Sequence, residues 1–514
     1  MNKIVFLLLA ATLICVAPGA HAQRPSLVTP LEASHLVASD LVWPASLNGP
    51  RDTVARQIWL PRGFTAEVFA TGFASAGGNG WLRMMAVDSA GTLHVAEMDG
   101  ARILALPDRN KDGVADTILT TRDKMKRANS IAFHKGYLYV AASDSIHKYS
   151  DENNDGYYET EHECVSDLHT GGPFDHWTRT VIIDPNREKL LVSVGTSCNA
   201  CRQTDAYRSV ILEYNLDGTG RRIYATGLRN ALGLAIEPKT GTLWATNADR
   251  NKMGDHLPEE IITRVRDGGF YGWPYAYGNR EWVDFAIDSE YASMLPLTKA
   301  DTDRVASMEI ADLFIPAHAT PAGIHFYQGS MYPEAYRSGF VCVRGSAEST
   351  KPVGYKMMRF WQDAALQWRL EDFCAGFLTD SNEYDFWGRP HGMMEGSDGA
   401  LYITAEGSPN RVLRIAYDPT KSVEREGQER PEVKLVRSGD GSYWLETSSF
   451  ESRPHSLKLE AYTIAGHLLA RRELKTEPTE TGIKISLSEL PTGPQLIVLS
   501  SESERISSII TIPK

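Results

Sequence analysis

Four local patterns in this chain bring together side chains that can do chemistry. His176 lies in His176-Trp177-Thr178-Arg179, after Gly171-Gly172 and directly ahead of the apolar run Thr180–Pro185. A histidine on a loop that opens a strand can move protons, because the unperturbed imidazole titrates near physiological pH. A histidine taken singly is more often structural, so the motif needs support from elsewhere. Arg229-Asn230 sits in a turn within GLRNALGLAIEPKTGTLWAT (227–246). A planar guanidinium beside an amide suits a polarised carbonyl or a carboxylate, and its bland alternative is an ion pair between neighbouring elements. Cys198-Asn199-Ala200-Cys201 admits zinc, redox chemistry or a local disulfide. No second CxxC offers the remaining zinc ligands, and no thioredoxin-like βαβ pattern surrounds it. Asp108-Arg109-Asn110-Lys111-Asp112-Gly113, with Asp116 beyond, has the alternating oxygens of a calcium turn. Asp151-Glu152-Asn153-Asn154-Asp155-Gly156, with Glu159 beyond, repeats it. Leu119 and His162 occupy the twelfth positions, so neither is an EF-hand. Each is either a structural calcium loop or a hairpin turn that needs no metal.

The elements that must position these residues are strands. One phrase recurs: a turn, an alternating apolar strand, a polar insertion, a second apolar strand. Copies start near residues 91, 136, 189, 241, 339 and 399. A single such hairpin cannot bury its apolar face, whereas blades set radially bury one another and expose only short edges. Six copies predict a six-bladed β-propeller. The long gap before the fifth copy requires an insertion, supplied by Tyr271–Ala311. Its aromatic run YGWPYAYGNREW (271–282) reads equally as a pocket wall or as a satellite core under a long loop.

The chain has 514 residues and a formal net charge of -12. An acidic balance argues against binding a phosphate backbone, so nucleic acid is not an expected partner. Lys3, the apolar run Ile4–Ala17 and Ala20-His21-Ala22 predict a cleaved signal peptide over 1–22. The mature protein is thus expected in the periplasm, on the cell surface or secreted. Export permits disulfides, and the five cysteines left, Cys164, Cys198, Cys201, Cys342 and Cys374, are odd in number. The predicted division is an N-terminal extension over 23–55, the propeller over 56–418, a charged linker over 419–434, and a small β-sandwich over 435–514.

Ordered phrases along residues 60–417 give the chain a resemblance to the soluble quinoprotein glucose and sorbosone dehydrogenases. They are LPRGFTAEVFATG, HWTR, VSVGTSCNAC, ATGLRNALGLA, GGFYGWPYAYG, PAHATPAGIHFY, KPVGYK and FWGRPHGM. The resemblance implies an exported dehydrogenase that oxidises an aldose or related alcohol by hydride transfer to pyrroloquinoline quinone (PQQ), with calcium beside it and an external electron acceptor. It makes His176 the general base. It makes Arg229 and Asn230 the groups that hold the quinone oxygens. Asp249 and Arg250 become main-chain calcium ligands. Lys351 and Arg389 become cations against the quinone carboxylates, and Cys198–Cys201 a structural disulfide. Two departures bear on the cofactor. Many relatives read GSWNR where this chain has Gly345-Ser346-Ala347-Glu348-Ser349, which leaves Lys351 to supply the lost charge. Relatives also often carry paired aspartates where Ala405-Glu406 stands. The rival readings are a calcium-dependent propeller lactonase and a glycan-binding propeller that has lost the quinone. The tail is similar to type IX secretion sorting domains through YTIAGHLLARREL, ISLSELPTG and IITIPK, which implies the secretion machinery as a partner.

Overall fold

A computed structural model of the chain describes residues 36–52, 55–73, 81–168, 175–346, 348–379 and 384–421, and beyond them the backbone of seven strands. The proposed signal peptide, Gly171-Gly172, Ala347 and the greater part of the linker lie outside the described residues. Six four-stranded antiparallel sheets form a six-bladed β-propeller. Blade one holds Leu82–Val87, Leu93–Glu97, Arg102–Leu106 and Leu119–Arg122. Blades two to five follow in chain order, opening at Ser130–His134, Arg179–Asp184, Leu234–Ile236 and Pro321–Phe326. Blade six takes Arg389–Glu395, Leu401–Glu406 and Arg411–Tyr417, and closes on Phe64–Thr71 from the other end of the chain. That exchange ties the ring shut with main-chain hydrogen bonds. The first strand of each blade lies innermost, and each neighbours the next around the ring.

Every recurring phrase of the sequence becomes the second and third strands of one blade. Both faces of the second strands are covered, as in Leu93–Glu97, where all five residues are buried. The core is therefore divided among the blade junctions. Trp244, Ile262 and Leu313 of blade four pack with Phe326, Val341 and Phe360 of blade five. Tyr139 and Ile146 of blade two pack likewise with Val181, Val192 and Leu212 of blade three.

The insertion leaves blade four between Glu260–Arg264 and Leu313–Ile315. It folds over its own cluster of Phe270, Tyr275, Tyr277, Tyr291, Met294, Val305 and Met308. Its helix Lys299–Ala306 starts at a capping box of Thr298 and Asp301. Tyr271, Trp273, Tyr275 and Tyr277 are all buried, and Trp282 is the aromatic of the run left exposed, at 40%. The satellite-core reading of 271–282 therefore holds, and the pocket-wall reading gives way to it.

The tail forms two antiparallel sheets. One pairs Leu435–Arg437, Tyr443–Glu446 and Gly482–Ile485; the other orders Leu468–Lys475, Ser456–Thr463, Gly493–Ser500 and Arg505–Ile512.

Candidate active site

In an antiparallel blade the start of the first strand and the end of the second share one end. His176, Arg229, Asn230 and Arg389 precede or open innermost strands, while Asp249, Arg250 and Lys351 follow second strands. All seven therefore lie on one face of the disc.

Thr196 joins the first two groups. Its amide donates to the Arg229 carbonyl at 3.0 Å, and its carbonyl accepts the His176 amide at 3.0 Å. His176 Nδ1 lies 3.0 Å from that same carbonyl and 2.9 Å from Thr196 Oγ1. The Oγ1 hydrogen is committed to Cys198 O at 2.7 Å, so Oγ1 faces the ring as an acceptor. Two acceptors at Nδ1 place the proton there and leave Nε2 a bare lone pair. Burial, then the neighbouring Arg229, lowers the His176 pKa to about 3. The imidazole is neutral at physiological pH. A Cβ on Gly195 would lie 2.6 Å from His176 Cβ and 2.7 Å from Asn230 Oδ1, so glycine there lets the two side chains approach.

Arg229 is buried and spends its three nitrogens on neutral acceptors. Nε donates to Asn199 O at 3.2 Å, Nη2 to Asn199 Oδ1 at 3.1 Å, and Nη1 to Asp249 O at 2.8 Å. Burial lowers its pKa to about 10, and the nearby Asp249 carboxylate opposes that fall.

A second group gathers across the same face, from blades one, five and six. Glu406 Oε2 lies 2.6 Å from Arg344 Nη2, and Glu406 Oε1 lies 3.1 Å from Arg83 Nη1. Arg389 donates to the carbonyls of Arg344 and Gly345. Burial lowers the pKa of Arg83 and of Arg389 to about 10, with Arg344 adding repulsion to each. Both stay charged at neutral pH. His391 lies 3.4 Å from Arg83 Nη1, and burial with the three arginines holds its imidazole well below its ordinary pKa. Arg83 and Arg344 thus share one carboxylate, with the Arg389 guanidinium beside them. Arg83 Nε is buried and makes no hydrogen bond. Trp81 and Trp177 flank Arg83 at 4.9 and 5.2 Å. Trp177 follows His176 in the chain, so its ring joins the arginine cluster to the histidine.

Residues 59–412 match the TrAA12-like family along most of the propeller. The chain belongs to that family. An uncharacterised protein of Borreliella burgdorferi is 23% identical to this TrAA12-like protein over 388 residues, which cover 73% of the chain and 94% of the relative. The PQQ domain of pyranose dehydrogenase from Coprinopsis cinerea shares the fold, with a TM-score of 0.58 and 18% identity over 73% of this chain and all of that one. A calcium structure of the Trichoderma reesei carbohydrate-active enzyme of family AA12 aligns with a TM-score of 0.60 and 18% identity, over 72% of this chain and 99% of that one.

The remaining sequence-predicted residues of the TrAA12-like protein divide into those in the site, those beside it and those remote from it. Cys198 and Cys201 are joined by a disulfide at the site's edge. Asp249 and Arg250 lie beside Arg229, but their side chains are structural. Arg250 reaches Asp249 Oδ1, Pro274 O and Ala276 O, each at 2.8 Å, and so anchors the insertion. The Asp249 carbonyl that was expected to face calcium accepts from Arg229 instead, and its carboxylate oxygens face Arg250 and Asn247. Lys351 is exposed in a loop fastened to Asp255 through Thr350, so it is not the replacement cation expected of it. The guanidiniums of Arg344 and Arg83 gather instead at Glu406. Neither was singled out from sequence; the available signal was Arg344 standing directly before the altered Gly345–Ser349 stretch.

Both Asp/Asn loops lie between third and fourth strands, on the opposite face. Asp108 accepts from the Asp112 and Gly113 amides, Asn110 from Asp112, Asp112 from Val114, and Asp116 from Arg109. Asp151, Asn153 and Asp155 serve the amides of Asp155, Gly156 and Tyr157 in the same way. Glu159 does not join its turn: its Oε2 is buried with no hydrogen-bond partner. Among the described residues no group of three or more His, Cys, Asp or Glu side chains is placed to hold a metal ion. Each loop is closed by hydrogen bonds from its own amides to its own Asp and Asn side chains.

Proposed function

We propose that this protein oxidises a pyranose or related sugar, with PQQ held by Arg83, Arg344 and Arg389. One observation carries the reading: the same face of the disc bears a buried arginine pole with surplus positive charge and a neutral histidine with Nδ1 on Thr196, linked by Trp177, which follows His176 and lies against Arg83. The donor set fits a ligand with several carboxylates, because Arg83, Arg344 and Arg389 gather about Glu406, with Asp99 as a further charge acting on Arg83. When bound, the quinone supplies a ring that accepts two electrons as hydride. The chain's own residues do the rest. His176 Nε2 takes the proton of the sugar hydroxyl, while Nδ1 stays fixed on Thr196 and keeps the ring oriented. Arg229 and Asn230 offer preset donors where negative charge develops on oxygen. Trp81 and Trp177 lie against the Arg83 guanidinium, and Trp81 also against Arg344. The names of the Coprinopsis and Trichoderma proteins support the sugar class. Calcium enters by resemblance and by the calcium structure of the Trichoderma relative, and no step above depends on it.

The reading includes export through residues 1–22, an external electron acceptor and a tail addressed to the secretion machinery. The Cys198–Cys201 bond supports the first, since such bonds persist in oxidising compartments. The test is reconstitution. Purified protein given PQQ and calcium should reduce an artificial dye in the presence of aldoses, and His176→Ala should not. No dye reduction across a sugar panel contradicts the proposal.

A further inference from the structure

We infer that the Cys198–Cys201 ring is a clamp that fixes Arg229, with Asn199 as its positioning residue, and that it thereby sets how tightly the site holds its cofactor; the affinity claim rests on the function proposed above.

Asn199 lies inside the four-residue ring that the disulfide closes. It is buried and commits its carbonyl and its side-chain amide. Its carbonyl accepts from Arg229 Nε at 3.2 Å and from Trp273 Nε1 at 3.0 Å. Its Oδ1 accepts from Arg229 Nη2 at 3.1 Å and from the Asn251 amide at 2.8 Å. Its Nδ2 donates to Asn251 O at 3.2 Å. Two of the three Arg229 nitrogens therefore end on this one residue.

The choice of partner matters. A carboxylate would hold Arg229 more strongly but would neutralise it. Neutral oxygens leave the positive charge available to a ligand, and they hold less tightly, so the acceptors must already be in place. A covalent ring of four residues does that, because it removes backbone freedom from the segment bearing both acceptor atoms. Outside the ring the segment is fastened at both ends. Cys198 O receives the Thr196 hydroxyl at 2.7 Å, next to His176. Arg202, directly after Cys201, pairs with Asp301 at 2.8 Å and donates to Met294 O at 2.8 Å, Pro296 O at 3.1 Å and Tyr275 Oη at 2.9 Å. The insertion is thus the abutment against which the ring is braced.

Two variants of the full chain test this: Asn199→Ala, which keeps the disulfide, and the double variant Cys198→Ala/Cys201→Ala, which keeps Asn199. The first readout is amide hydrogen exchange. Thr196 donates to Arg229 O and Asn251 to Asn199 Oδ1, while Val192 lies mid-strand in blade three. Both variants should speed exchange at Thr196 and Asn251 by about tenfold or more and leave Val192 unchanged. The second readout is PQQ affinity by absorbance titration, expected to weaken about tenfold in each variant. Wild-type exchange at Thr196 and Asn251, or wild-type affinity, in both variants overturns the clamp. Faster exchange everywhere, Val192 included, also overturns it, because that marks a bridge that only stabilises the fold. If the wild type binds no quinone while Thr196 and Asn251 respond, the hold on Arg229 stands and the affinity claim falls with the proposed function.

Discussion

The two poles of the site hold their arginines in opposite ways. At the pole of blades three and four, Arg229 ends on two carbonyls and an amide oxygen and makes no hydrogen bond to a carboxylate. At the pole of blades five, six and one, Arg83 and Arg344 converge on Glu406, with Arg389 beside them. Neutral acceptors aim a cation without pairing it to a carboxylate, which suits stabilising charge that develops during a reaction. A carboxylate shared by several guanidiniums lets like charges sit together before any ligand arrives. That suits the capture of a polyanion. On the function proposed above, the first pole serves the charge that develops in turnover and shares in holding the quinone, while the second serves the cofactor's carboxylates.

The largest expected effect is His176→Ala. Dye-linked turnover should fall about 10²- to 10⁴-fold while PQQ affinity stays near wild type. A parallel loss of affinity would erase the distinction between the poles. Next comes Glu406→Gln, which leaves buried arginines facing one another without a counter-charge. The cofactor-free protein should lose about 3 kcal/mol, seen as a lower urea midpoint. Adding PQQ should then raise its melting temperature by more than it raises the wild type's, because an anion replaces the missing carboxylate. Arg344→Ala should show the reverse pattern, with PQQ affinity weaker by about 10- to 100-fold and little change in turnover at saturating cofactor.

The smallest effect is on pH dependence. The His176 pKa falls from 6.5 unfolded to about 3 folded. Below pH 6.5 the unfolded chain binds a proton that the folded chain refuses, so this group's contribution, complete above 6.5, is lost as pH falls toward 3. His176→Gln should flatten that part of the acid-side decline, measured by urea midpoints at pH 7 and 4.5. An unchanged slope would show that the imidazole is better solvated than its contacts imply.

The same contrast separates what was legible in the sequence from what was not. His176 and the Arg229-Asn230 pair sit in contiguous phrases, and the structure brings them together through Thr196 and Gly195. The repeated phrase marked the second and third strands of every blade because the second strands are buried on both faces and the pair is bounded by turns. The first strands were less visible: Leu82–Val87 carries Arg83 and Arg389–Glu395 carries His391, polar residues that interrupt the apolar alternation. The closing strand Phe64–Thr71 gave no hint of its partner, since the ring joins the two ends of the propeller segment. Arg83, Arg344 and Glu406 come from three blades, so no local spacing links them. Replacement of Trp, Asn and Arg over Gly345–Ser349 read as a loss of charge, yet Arg344 stands one residue earlier. In the insertion, the aromatic spacing fitted a pocket wall as well as a core. Its own helices and short strands supplied the partners that bury Tyr275 and Tyr277.

The central claim is that the arginine pole captures a quinone polyanion in front of His176. A PQQ titration read by absorbance, run on wild type, His176→Ala and the Arg83→Ala/Arg344→Ala pair, tests it most directly. Saturable binding with similar affinity in the first two and its loss in the third is the predicted result. No binding by the wild type, or undiminished binding without the two arginines, would contradict it.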